Sequence, residues 1–353
     1  MRAVDPAFWR GRRVLLTGHS GFKGSWLTLW LHRLGADVTG ISLPPATAPS
    51  LFREAKVDAF CRSLFCDIRD APALAGLIRS AQPDIVFHLT AQPLVRASYR
   101  EPRATFDTNV MGTVNVLDAL RGLGGVQVAV MITTDKVYRD LEPRRPCRED
   151  DPLGGHDPYS GSKAACEIAI ASYRSSFLAD QGITVASARA GNVIGGGDWS
   201  EDRLVPDAIR AWQAGTTLAV RRPSAVRPWQ YVLEPLAAYL ILAESLWQQT
   251  TLAGAYNFGP DASSRVTVRE LVDMARAAYG SGDVCYQDDD IGPHEAARLE
   301  LDTAKALGTL DVRPTLTLAQ AIDRTMNWYR AQREGADALI LCQSDIDAYE
   351  ALH

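Results

Sequence analysis

At 353 residues and a formal charge of −5, the chain can bury one large or two unequal cores, and it lacks the basic face that nucleic-acid or membrane-surface binding needs. Its 46% apolar and 22% charged residues describe an ordinary folded chain, and no apolar run reaches the roughly 18–20 residues that span a bilayer. The start, Met1-Arg2-Ala3-Val4-Asp5, lacks the apolar core of a signal peptide, and the six cysteines form neither a C-x-x-C pair nor a zinc-like cluster, so a cytoplasmic setting without a metal centre is expected.

The first expected strand, Arg13–Leu16, runs into Thr17-Gly18-His19-Ser20-Gly21-Phe22-Lys23-Gly24-Ser25 and then a helix over Ser25–Leu34. Glycines at 18, 21 and 24 suit a tight turn, close backbone approach to a pyrophosphate and close helix–strand packing, and the helix N-terminus offers free N–H groups to phosphate. A strand over Asp37–Ile41 ends in Ser42-Leu43-Pro44, without the acidic residue that usually takes an adenosine ribose. Serine can hydrogen-bond a ribose but does not repel a 2′-phosphate, so NAD is favoured and NADP stays open. After the strand Ser63–Cys66, Asp67-Ile68 is placed either to meet an adenine ring or, for Asp67, to cap the helix Ala71–Ser80.

A strand at Ile85–His88, a helix over Arg103–Leu120, a strand at Val126–Ile132, a helix over Tyr159–Leu178 and a strand at Thr184–Ala188 continue the alternation. Several of these strands are apolar at every position, the mark of a sheet covered on both faces. The expected fold is therefore α/β, a Rossmann-type doubly wound parallel sheet with a smaller mixed α/β C-terminal substrate domain. Residues 1–190 read as the cofactor domain, with a segment near 228–260 returning to it. Residues 191–335 read as the substrate domain, with helices at Leu204–Gln213, Leu233–Gln248, Val268–Tyr279 and Leu318–Tyr329, and 336–353 as a helical, peripheral tail. The Arg- and Pro-rich segment from Arg139 to Cys147 reads as an exposed loop.

Two groups carry the chemistry. Tyr159 and Lys163 lie four apart at a helix start, so both project from one face. A lysine ammonium beside the phenol, together with a nicotinamide charge, would favour phenolate, which can take a hydroxyl proton as hydride leaves carbon. The run Val128–Ile132 ends in Thr133-Thr134-Asp135-Lys136, where Thr134 can hydrogen-bond the reacting hydroxyl or merely cap the strand. Asp135 and Lys136 set a carboxyl beside an amine, able to move protons or simply to form an ion pair. The chain has only five lysines (23, 56, 136, 163 and 305), and three of them fall in these motifs.

The glycine loop together with Tyr159-Ser160-Gly161-Ser162-Lys163 resembles the extended short-chain dehydrogenase/reductase family of nucleotide-sugar enzymes. Longer segments resemble its 4,6-dehydratase branch: His88-Leu89-Thr90-Ala91-Gln92-Pro93-Leu94-Val95-Arg96, Thr105–Thr113, Asp151–Tyr159, Gly191–Trp199 and Arg227–Pro235. The resemblance implies that Tyr159 takes the sugar 4-hydroxyl proton as hydride passes to NAD. Asp135 would then protonate the 6-hydroxyl, and Lys136, where related enzymes carry a glutamate, would take the C5 proton or stabilise the enolate. The resemblance also implies a cofactor set of Gly18, His19, Gly21, Phe22, Lys23, Gly24, Asp67, Ile68, Leu89, Thr90, Ala91, Thr108, Tyr159 and Lys163. It implies substrate contacts from Gln92, Asn192, Arg203, Arg227 and Arg298, the arginines for a diphosphate. CDP-glucose is the implied substrate. A homodimer or homotetramer built on helices 103–120 and 159–178 is the implied assembly. A 4-epimerase on the same scaffold would need Tyr159 and Lys163 but no acid and base at C5 and C6, and a non-catalytic dinucleotide sensor would need neither pair.

Overall fold

Val128-Ala129-Val130-Met131-Ile132 is buried at every position because its sheet is covered on both sides. Val128, Val130 and Ile132 enter one core layer, and Ala129 and Met131 enter the other. The computed structural model describes residues 2–139, 145–261, 264–287 and 300–353. Most of the segment expected as an exposed loop, residues 140–144, lies outside them.

In chain order the strands are β1 (Arg13–Thr17), β2 (Asp37–Ser42), β3 (Arg62–Phe65), β4 (Ile85–His88), β5 (Val128–Ile132), β6 (Thr184–Ala190), β7 (Asn192–Ile194), β8 (Leu218–Arg221), β9 (Val226–Tyr231), β10 (Gly254–Phe258), β11 (Arg265–Thr267) and β12 (Val284–Gln287). Seven of them form a sheet in the order β10-β6-β5-β4-β1-β2-β3, every neighbouring pair parallel. The winding reverses between β1 and β4, and the carboxyl ends of the strands there open the crevice where such sheets bind ligands.

The longer helices are α1 (Phe22–Arg33), α2 (Ala71–Ala81), α3 (Gly112–Leu120), α4 (Pro158–Tyr173), α5 (Leu204–Gln213), α6 (Leu233–Gln248), α7 (Val268–Tyr279), α8 (Leu318–Arg333) and α9 (Ala338–Glu350). Trp26, Leu27 and Trp30 of α1 share one core with α6, whose residues are buried without a break from Leu233 to Leu246. Fully burying one such leucine is worth about 1.5–3 kcal/mol. Leu74 and Ile78 of α2, Val116 and Leu117 of α3, and Ile170 of α4 cover the opposite face. The helices expected over 103–120 and 159–178 are present, but each contains a widened π turn, at Asp107–Met111 and at Arg174–Leu178.

Beyond β6 the smaller elements gather. β7 pairs parallel and β11 antiparallel with β9, and β8 pairs parallel with β12. The chain re-enters the main sheet through α6 and through β10, which extends the edge beside β6. The tail, expected at the periphery, is α9, and it is built into the core. Cys342, Ile346 and Tyr349 recur on one helical face and are buried, because that face meets α1 and α8. Glu350 accepts from the Trp30 indole at 2.8 Å, and the Tyr349 hydroxyl donates to Glu234 at 3.2 Å. Among the described residues no helix is long and apolar enough to cross a membrane.

Candidate active site

The turn from β1 into α1 is as tight as its glycines require. Gly18 has φ +83°, and a Cβ on Gly24 would lie 2.0 Å from the Gly18 carbonyl oxygen. Gly21 caps α1 with extended backbone, and a Cβ there would lie 3.4 Å from the Gly18 carbonyl oxygen, so the loop stays close to the first N–H groups of the helix, which are the ones a pyrophosphate would meet. Phe22 packs towards Gly195 in the Gly-rich stretch after β7. His19 is fully buried, with Nε2 2.7 Å from Ser63 Oγ and Nδ1 3.1 Å from Ser42 Oγ. Burial pushes its imidazole down to about 4, so it is neutral at physiological pH. Ser42, the residue left to meet a ribose, is itself tied into this cluster and to Ser20 at 2.8 Å.

Asp67 caps its own turn, accepting from the Arg69 backbone N–H at 2.9 Å and pairing with the Arg69 guanidinium at 2.6 Å. The cap of helix α2 expected of Asp67 is instead supplied by Asp70, which accepts from the Ala73 N–H at 3.1 Å. Ile68 packs against α3 so closely that a Cβ on Gly112 would lie 2.3 Å from its Cδ1. Leu89, Thr90 and Ala91 leave the end of β4 over the glycine turn, and a Cβ on Gly18 would lie 2.9 Å from the Thr90 nitrogen. Thr108 stands half-buried in the first π turn.

The helix α4 begins on a firm cap. Asp157 accepts from the Ser160 N–H at 2.9 Å, and Pro158 occupies the first turn. This fixes Tyr159 and Lys163, both buried, on the face towards the end of β5, where Lys163 Nζ donates to the Ile132 carbonyl at 3.0 Å. The lowering of the phenol was expected from Lys163 and a nicotinamide charge together, and the protein's own groups act in the opposite direction. Burial pushes Tyr159 up to about 12, and its hydrogen bond with Thr134 and the charge of Arg203 do not offset burial plus the carboxylates of Asp135 and Asp157. Ionising this phenol therefore takes a further positive charge beyond those the chain supplies.

Between β5 and the next turn lies the second group. Thr134 caps a single turn, Asp135–Val137, and donates to Asp135 Oδ1 at 2.9 Å. Lys136 Nζ is 3.5 Å from Asp135 Oδ1 and 3.5 Å from Asn192 Oδ1 on β7. The other carboxylate oxygen, Asp135 Oδ2, is buried without a hydrogen-bond partner among the described residues. A Cβ on Gly191 would come within 3.2 Å of it, so the glycine keeps that side clear. Thr134 and Asp135 both act on Tyr159, which places the two groups in one site.

Lys23 reaches the same site from the glycine loop. Its Nζ donates to the Tyr239 hydroxyl at 3.3 Å, and burial, then the charge of Arg203, push it down to about 7 against the pull of Asp135. Tyr239 was not among the expected residues. It lies in α6, whose uninterrupted apolar run reads as core, and only its hydroxyl sets it apart.

The expected substrate contacts divide. Arg203 stands at the start of α5, pairs with Asp198 at 3.2 Å and acts electrostatically on Lys23 and Tyr159. Arg227 is buried on β9 and donates to the Val226 carbonyl at 3.0 Å. Arg298 falls outside the described residues. Gln92 is tied into the loop after β4. Its amide donates to Thr105 Oγ1 at 2.9 Å and accepts from the Leu94 N–H at 2.6 Å, while Asn109 braces its backbone N–H at 2.7 Å and its carbonyl at 3.1 Å.

Residues 14–259 match the NAD dependent epimerase/dehydratase family. The chain is 42% identical over 352 residues to the CDP-glucose 4,6-dehydratase of Salmonella typhimurium, covering 98% of each. It is 28% identical over 321 residues to the UDP-glucose 4-epimerase of Mycolicibacterium smegmatis, covering 90% of this chain and 98% of the relative. A crystal structure of a dTDP-glucose 4,6-dehydratase double mutant from Streptomyces venezuelae, with NAD bound, superposes at a TM-score of 0.78 and 25% identity, covering 93% of this chain and 99% of the other.

Proposed function

Because this chain belongs to the NAD dependent epimerase/dehydratase family, we propose that it converts CDP-glucose to CDP-4-dehydro-6-deoxyglucose and water, acting as an NAD-dependent 4,6-dehydratase. The observation that carries the dehydratase reading over a 4-epimerase is the Asp135–Lys136 pair, 3.5 Å apart and joined to Tyr159 through Thr134. A 4-epimerase has no step that uses this pair.

The glycine turn, the open α1 N-terminus and the site beside Tyr159 fit a dinucleotide, and NAD is the cofactor. When bound, NAD supplies the hydride acceptor and the positive charge that the buried phenol lacks. Tyr159 takes the 4-hydroxyl proton as hydride leaves C4, with Lys163 buried behind it. The resulting 4-ketone acidifies the C5 proton. Moving one proton from Lys136 to Asp135 turns the ion pair into a neutral amine and a neutral acid. Lys136 then takes the C5 proton while Asp135 protonates the departing 6-hydroxyl, which restores the original charges. As hydride returns to C6, Lys136 gives a proton to C5, and the proton held by Tyr159 replaces the one Lys136 has lost. Arg203, Arg227 and Arg298 are the cations for the diphosphate, and Asn192 holds Lys136 in place.

Exposed Phe106, Met111 and Ile168 lie on the helical runs 102–120 and 158–178, and they favour a homodimer formed through those helices. The setting is cytoplasmic, in keeping with six free cysteines. Incubation with CDP-glucose, followed by the alkaline ultraviolet chromophore of the 4-keto sugar, tests the reading. Formation of CDP-galactose without loss of water would overturn it.

A further inference from the structure

Behind the acid–base loop lies a buried ion pair that the reaction itself does not use. Glu167 stands one turn beyond Lys163 and two beyond Tyr159 on α4, and Arg189 lies on β6. Their side chains meet at 2.8 Å, with 3% and 4% of each exposed. Glu167 accepts from Thr133 Oγ1 and, at 2.7 Å, from Ser187 Oγ. Arg189 donates through Nη1 to the Tyr138 hydroxyl at 2.7 Å and to the Glu149 carbonyl at 3.0 Å, and its guanidinium lies 5.0 Å from the centre of the Tyr138 ring. The Tyr138 hydroxyl donates in turn to Asn257 Oδ1 at 2.6 Å.

The topology of these contacts is specific. Thr133 and Tyr138 are the two ends of the segment whose interior holds Thr134, Asp135 and Lys136. One end is tied to Glu167 and the other to Arg189. A turn of only three residues has almost no backbone ladder of its own; Thr133 N donates to the Ala188 carbonyl and the Val137 carbonyl accepts from Gly154 N, each at 2.9 Å, and the side-chain ties add to these two backbone anchors. The ion pair is intact by its own electrostatics. Burial pushes Glu167 up, but the hydrogen bond and charge of Arg189, with those of Thr133 and Ser187, hold it below its ordinary value.

We propose that Glu167 and Arg189, with Tyr138, are positioning residues that hold the acid–base loop in register with the hydride-transfer helix, so that the ketone formed beside Tyr159 is met by Asp135 and Lys136. The inference rests on the dehydratase reading above. Ion pairs of this kind carry specificity in some proteins, and a displacement of about 1 Å in a reacting group can cost on the order of 100-fold in rate.

The test compares the two halves of the reaction in Tyr138→Phe, which removes one hydroxyl, and in Glu167→Gln, which keeps shape and removes the charge. Stopped-flow absorbance of the reduced nicotinamide reports C4 oxidation, and uptake of solvent deuterium at C5 reports elimination. In both variants elimination should fall about 10- to 100-fold while C4 oxidation stays within about threefold, so that reduced cofactor accumulates. Equal loss in both halves, or loss in neither, overturns the proposal. Should Glu167→Gln not fold, Tyr138→Phe alone decides by the same split. Wild-type protein run in parallel separates the two readings. Absence of water loss from wild type defeats the dehydratase assignment, whereas dehydration by wild type without the split in the variants defeats only the positioning role.

Discussion

The helix α4 and the loop Thr133–Tyr138 face the same substrate but are held by opposite means. Tyr159 and Lys163 sit on a 16-residue helix with an Asp157 cap, so backbone hydrogen bonds repeated along its length fix their geometry. Asp135 and Lys136 sit on one short turn, anchored by a few backbone bonds at its ends and tied by side chains from α4, β6 and β7. Hydride transfer is shared by the whole scaffold and rests on its most regular element. In the proposed mechanism the choice between returning hydride to C4 and expelling water rests on the short turn, which has one β-bridge and a few backbone bonds in place of a repeating ladder. Different outcomes on one fold need only changes in that loop and its ties.

Breaking the helix side should have the largest effect. Tyr159→Phe removes the proton acceptor proposed for the 4-hydroxyl, and turnover should fall about 10,000-fold with no transient of reduced nicotinamide. A transient of normal size would mean that another group takes the proton. Breaking the loop side should separate the halves. Lys136→Met should leave C4 oxidation visible in stopped flow while product formation falls about 1,000-fold. Normal turnover by that variant would make Lys136 structural. Asp135→Asn should cost less, about 100-fold in product release, because an amide or a water can still donate to the departing oxygen. The loss should shrink for a substrate analogue with a better leaving group at C6, and an unchanged deficit would remove Asp135 as the acid.

The smallest effect lies where the two regions meet. Lys23 feels Lys163 from the helix and Asp135 from the loop, and its amine is pushed down from 10.5 to about 7. Above about pH 7 the unfolded chain binds this proton and the folded chain does not, so this group's contribution to stability rises from pH 7 towards 10.5, by at most roughly 1.4 kcal/mol per pH unit. In Lys23→Met that slope should be missing. Urea midpoints measured at pH 7 and pH 9 should therefore show the variant's advantage over wild type shrinking at the higher pH. A constant gap would place Lys23 in solvent.

What the sequence revealed and what it hid have physical reasons. Strands such as Val128–Ile132 were legible because burial on both faces makes every position apolar. Tyr159 and Lys163 were legible because four residues along a helix bring side chains to one face, and Asp135 and Lys136 because they are adjacent. Glu167 and Arg189, 22 residues apart, were not: a glutamate in a helix and an arginine in a strand read as surface charge unless the fold that buries both is known. Nor could spacing show that Gln92 is tied to Thr105 and Leu94, or that Asp67 is held by Arg69, since each depends on which partner the folded loop offers. The protein's own upward push on the Tyr159 phenol was hidden for a related reason. Neighbouring charge can be read from a motif, but desolvation depends on everything packed around the ring.

The claim that the loop turns a reversible oxidation into loss of water is tested most directly by following one hydrogen. CDP-glucose carrying deuterium at C4, turned over once by the wild-type protein, should give a 4-keto-6-deoxy product with deuterium at C6 and solvent hydrogen at C5. Recovery of deuterium at C4, in an epimerised sugar that has lost no water, would contradict the account.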